Sequence, residues 1–101
     1  MKPFVSVFLL YITHHYMNHK HRKTLETIFT DPINGAIEWR RIEALFLALG
    51  AKRAERTLGS AVSFVLNDVR ADFHRPHPGK AALRYRVKDA RNFLEQAGIK
   101  P

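Results

Sequence analysis

The 101-residue chain contains no cysteine. This excludes a disulfide framework, a thiolate metal site and a thiol nucleophile, and it fits a reducing, cytoplasmic setting. Acidic residues are scarce: 9 Asp and Glu stand against 17 Lys and Arg, a net charge of +8 with neutral histidine. Such a surplus on a small domain points to a polyanionic partner, with nucleic acid ahead of an anionic membrane surface. No apolar run reaches the ~20 residues that a membrane-spanning helix needs. The run from Phe4 to Ile12 is followed by "THHYMNHKHRK" and not by the small-x-small site of a cleaved leader, so neither secretion nor a membrane partner is expected. The glycines that would surround Gly79 and Lys80 in a phosphate loop are also missing, which argues against nucleotide hydrolysis.

What is present is 46% hydrophobic, enough for one folded domain with a thin core. The expected division is an apolar then basic extension over residues 1–23 and a domain over 24–101. Residues 1–16 read as dispensable, with Met17 opening the essential part. "HKHRKTLETIF" sets Leu25, Ile28 and Phe29 at helical spacing, and "DPING" ends that short helix. "WRRIEALFLALGA" places Ile42, Leu45, Phe46 and Leu49 on one helical face, with Gly50 as the stop. Trp39, at the start of that helix, reads as a core or staple residue and not as a base-stacking platform.

From Ala51 the period changes to two. "KRAER" (52–56) is a weakly signalled first strand. "AVSFVLN" and "VRADFH" alternate on either side of Asn67-Asp68, a two-residue hairpin loop. That loop length fixes the pairing: Leu66 opposite Val69, Phe64 opposite Ala71, Val62 opposite Phe73, all six on one side. Val65 then faces Arg70, Ser63 faces Asp72 and Ala61 faces His74 on the other side. The final "VKDARNFLEQAGI" aligns Val87, Ala90, Leu94 and Ala97 on one stripe beside Phe93, with Gly98 as the stop. The expected fold is α+β in the order α-α-β-β-β-α, with helices on one face of a three-stranded antiparallel sheet and the other face open.

Residues 40–99 resemble the HicA family, the small toxins of bacterial toxin–antitoxin modules. The resemblance rests on the helix "IEALFLALGA", the dipeptide Gly59-Ser60 before the second strand, "PHP" at 76–78 after the third, and the ending "FLEQAGI". It implies a fold like that of a double-stranded RNA-binding domain, metal-free cleavage of mRNA, and a HicB-like antitoxin that covers the site. It also implies a histidine directly after "GS", where this chain has Ala61. The expected cross-strand partner of Ala61 is His74, with side chains starting ~5 Å apart. Histidine suits proton transfer at a ribose 2′-hydroxyl or a leaving oxygen, and nearby cations suit the charge that builds on phosphorus.

His74 is therefore the candidate catalytic residue, with Arg70 or Arg75 as its electrostatic partner. Ser60, His77, Lys80, Arg84 and Arg86 are the candidate RNA contacts. A noncatalytic RNA-binding module is the alternative, because alanine at position 61 moves no proton. No metal or cofactor is expected. His74 and His77 are too few for a zinc site, and Lys20 between His19 and His21 repels a cation. A Ser63–His74–Asp72 triad fails because Ser63 faces the acid and not the base.

Overall fold

The computed structural model describes residues 17–55, 59–76 and 80–101. His77 and the extension over residues 1–16 lie outside the described residues. Six elements follow one another: α1 (His19–Ile28), α2 (Trp39–Ala48), β1 (Lys52–Glu55), β2 (Ala61–Leu66), β3 (Val69–His74) and α3 (Arg84–Gln96). This is the expected α-α-β-β-β-α order, and the strands form one antiparallel sheet in the order β1-β2-β3. Among the described residues no helix is long and apolar enough to cross a membrane.

Helix α1 begins at His19, five residues before the expected first residue of the domain, Thr24. The Asn18 side chain accepts the His21 N–H at 2.8 Å and caps it. The basic "HKHRK" run is thus the first turn of a helix whose Leu25 and Ile28 are buried. Its far end is closed by α3. Arg91 donates to the carbonyls of Ile28 (2.9 Å) and Thr30 (3.0 Å) and to the Asp31 carboxylate (3.1 Å), satisfying acceptors that the helix itself leaves open.

The hairpin has the register that its loop length demands, from Leu66 opposite Val69 to Ala61 opposite His74. Asn67 and Asp68 take φ of 55° and 66°, the left-handed pair that a two-residue loop between right-twisted strands requires. Val62, Phe64, Leu66 and Phe73 are buried beneath the helices. Phe46 of α2 sits at the centre of the core, with ring centroids 5.0 Å from Phe64, 5.7 Å from Phe73 and 5.0 Å from Phe93. Trp39 packs against Phe73 at 5.2 Å and is core, as its position suggested.

One link has no counterpart in the sequence pattern. The strand-like segment before α2 pairs with the segment before α3. Ala82 N–H donates to the Ile37 carbonyl (2.8 Å), Leu83 N–H to Gly35 (2.9 Å) and Trp39 N–H to Lys80 (2.9 Å). The chains approach so closely that a Cβ on Gly35 would lie 2.7 Å from the Arg84 nitrogen. This pairing fixes where α3 starts, and it holds Leu83 at φ 73°.

Candidate functional site

The alternation of the strands sorts the candidate residues onto two faces. Ala61, Ser63 and Val65 of β2 and Arg70, Asp72 and His74 of β3 share the face away from the helices, paired rung by rung. His74 is exposed there, and its imidazole has no hydrogen bond or ion pair among the described residues. Ser63 lies on the same face yet is only 4% exposed. It is covered by its neighbours: its hydroxyl donates to Asp72 at 2.6 Å, Arg70 Nη2 donates to that hydroxyl at 3.3 Å, and Arg70 Nε reaches Asp72 at 3.1 Å. Arg70 therefore shares the open face with His74, but its charge is partly balanced by Asp72.

Arg75 goes the other way. The ladder continues past His74, with Arg75 N–H donating to the Ser60 carbonyl at 3.0 Å, so the next side chain turns to the helix side. There it meets Glu43 of α2 through Nε (2.7 Å) and Nη2 (3.1 Å), and Glu55 of β1 through Nη1 (2.8 Å) and Nη2 (3.1 Å). Arg53 adds a third guanidinium contact to Glu43 at 3.3 Å, and the Trp39 indole N–H also donates to this carboxylate. Glu43 is 6% exposed, so its charge is compensated almost entirely by these partners. The carboxylates, Glu43 foremost, hold the Arg75 guanidinium more firmly protonated than usual. The hydrogen bond from Arg75, aided by its charge and that of Arg53, holds the Glu55 carboxyl below its ordinary value. Arg70 and Arg75 do not jointly flank His74; the sheet lies between Arg75 and the imidazole.

The remaining expected contacts divide in the same way. Lys80 lines a shallow cleft with Glu38, Trp39, Arg40, Arg75 and Pro76, on the helix side. Arg84 is exposed at the start of α3. Arg86 reaches back to β3, its Nε donating to the His74 carbonyl and its Nη1 to the Ala82 carbonyl at 3.3 Å. Ser60 sits directly before Ala61 on the rung beside His74, and His77 lies outside the described residues. Among the described residues no group of three or more His, Asp or Glu side chains is placed to hold a metal ion.

Sequence reasoning overlooked Glu43 and Tyr85. A signal for the first was present: in "RIEALF" an acid occupies the helix position one turn after Trp39, inside the apolar stripe. Tyr85 stands between two arginines in "RYR", a spacing that does not by itself distinguish a buried ring from an exposed one.

The geometry is thus a sheet with one open face, a solvent-facing histidine opposite an alanine, and arginines along the neighbouring helix start. The family model described as "HicA toxin of bacterial toxin-antitoxin" matches residues 39–99. A search of curated proteins and a search of solved structures gave no match. The matched span takes in α2, the whole sheet and α3, more than half of the chain, and family membership implies an antitoxin partner. The protein belongs to the HicA toxin family.

Proposed function

We propose that this toxin binds and cleaves mRNA in the cytoplasm as a metal-independent endoribonuclease (an mRNA interferase), with His74 carrying the proton transfer, until a HicB-like antitoxin covers the open face. The observation that supports this best is the Ala61–His74 rung. The position that resembles the family's histidine site holds alanine, and the imidazole stands on the adjacent strand of the same face, within reach of the same space.

In such a cleavage the ribose 2′-oxygen bonds to the neighbouring phosphorus while its proton passes to a base. The bond from phosphorus to the 5′-oxygen then breaks, and that oxygen takes up a proton. The products are a 2′,3′-cyclic phosphate and a 5′-hydroxyl. Imidazole can serve either transfer, since one ring nitrogen can accept a proton while the other donates one. The extra negative charge on phosphorus calls for a cation already in place. Arg70 on the same face is the catalytic partner of choice, and Arg84, Arg86, Ser60 and His77 are assigned to binding RNA. Arg75 takes a positioning role, since its guanidinium is committed to Glu43 and Glu55 on the far side. Lys80 contributes to the general positive field.

The second reading, an RNA-binding module without chemistry, is favoured by Ala61 alone. One experiment separates them: inducing the parent and His74→Ala chains in bacteria without antitoxin, and following growth and mRNA integrity. Cleavage through His74 predicts arrest and mRNA decay by the parent and a loss of about 10²–10⁴-fold in cleavage rate for the variant. Equal decay with both chains refutes the role of His74. Harmless expression of a parent that still binds RNA selects the noncatalytic module.

A further inference from the structure

We infer that Tyr85 is a stacking platform for an unpaired RNA base, placed so that the toxin engages single-stranded RNA next to His74. This deepens the RNA reading above and rests on it. Tyr85 is 58% exposed in the first turn of α3, the most exposed large apolar side chain among the described residues. An aromatic ring left in water, when most of the other rings among the described residues are buried, needs a reason.

The surroundings supply one. The Arg86 guanidinium lies over the ring, 4.8 Å from its centroid, and covers one side. The same guanidinium donates to the His74 carbonyl and to the Ala82 carbonyl. A single side chain therefore spans the gap between the tyrosine ring and the strand that carries His74. Two carbonyls and a ring hold it in place, so the ring itself is kept in position by a neighbour that is already ordered. Arg84 and Lys88 are exposed on the same end of the helix, giving cations on either side of the aromatic. Interleaved cations and an exposed ring are what a single strand requires: charge for the phosphates, and a flat apolar face on which any base stacks. A duplex cannot use the ring, because its bases are already stacked on one another.

The backbone favours this display. Leu83, two residues earlier and 49% exposed, is held at φ 73° by its N–H bond to the Gly35 carbonyl. The start of α3 is thereby pinned to the segment before α2, and the direction in which Tyr85 projects does not depend on a flexible loop.

The test is binding of a short fluorescent single strand with 2′-O-methyl riboses, which removes the attacking hydroxyl and prevents cleavage, compared with the same strand in a duplex. Tyr85→Ala is expected to weaken single-strand binding roughly 5- to 100-fold while leaving duplex binding within about twofold. Tyr85→Phe, which keeps the ring, is expected to bind like the parent. Thermal melting confirms that each variant is folded, as a solvent-facing site allows. A folded Tyr85→Ala chain that binds the single strand as tightly as the parent overturns the inference and leaves the RNA reading intact. A parent that binds neither strand nor duplex overturns both.

Discussion

Replacing Glu43 with glutamine isolates the charge at the centre of the helix-side network. Glutamine has nearly the same shape and keeps an oxygen that accepts the Trp39 indole N–H, so the packing around α2 is preserved. What disappears is the negative charge facing Arg75 at 2.7 and 3.1 Å and Arg53 at 3.3 Å. Removing one partner of a buried pair costs about 3–5 kcal/mol when the other is left dry and uncompensated. Here the penalty is reduced, because the Arg75 and Arg53 side chains keep 32% and 38% of their exposure and Arg75 retains Glu55. A loss of about 2–3 kcal/mol is expected, equivalent for a domain of this size to a fall of roughly 10–20 °C in Tm. Circular dichroism melting and urea titration measure it. Glu55→Gln is the control: at 61% exposure, loss of that carboxylate is expected to lower the melting temperature far less than Glu43→Gln does. A Glu43→Gln protein within about 0.5 kcal/mol of the parent would refute the view that Glu43 is the keystone of the network.

Two further predictions concern stability. Gly35→Ala is expected to cost about 1–3 kcal/mol in urea unfolding, because the new methyl would meet the backbone nitrogen of Arg84 at 2.7 Å and the Leu83 carbonyl carbon at 3.1 Å, neither of which can yield without breaking the pairing before α3. The second is a pH dependence. The Glu55 carboxyl titrates lower in the folded chain than in the unfolded one, so the unfolded state binds the proton more readily as acid is added. Its stabilising contribution is therefore complete above the ordinary value of 4.5 and is lost as the pH falls through the lower folded value. Melting the parent and Glu55→Gln in parallel is expected to show a shallower acid decline in the variant.

The elements easiest to read were those in which two signals agreed. In the hairpin, the period of two and the two-residue loop each specify the register, and a slip by one residue would have turned Phe64 and Phe73 into water. Helix α2 combined a complete apolar stripe with Gly50, whose φ of 99° suits the residue after a helix. Strand β1 was faint for a physical reason: its helix-side residues are Arg53, which reaches the buried Glu43 carboxylate, and Glu55, which pairs with Arg75, where an inner strand face ordinarily carries apolar groups. Arg91 capping α1 from 63 residues away, and the Gly35–Leu83 pairing, are long-range contacts of ordinary residues that no local pattern encodes. For the candidate site, the His74–Ala61 rung followed from register alone. The expectation that Arg75 stands beside His74 came from adjacency in sequence, and the alternation that turns His74 outward turns Arg75 inward.

His74 and Arg75 project to opposite faces of the sheet, so substitutions at the two are not equivalent. If His74 carries the proposed proton transfer, a screen for lost growth arrest would recover substitutions at His74 and at Arg75 alike, and their proximity in sequence would invite a common explanation. On that proposal the two residues reach the same phenotype by different routes. Arg75 ties the end of β3 to α2 and β1 through four hydrogen bonds to two carboxylates, so its loss leaves Glu43 buried with too little positive charge and loosens the rung on which His74 stands. His74 makes no such contacts among the described residues, so its loss leaves the fold as it was. An Arg75 variant is therefore expected to regain activity when the fold is stabilised by cooling or by compensating substitutions, whereas a His74 variant stays inactive however stable it is made.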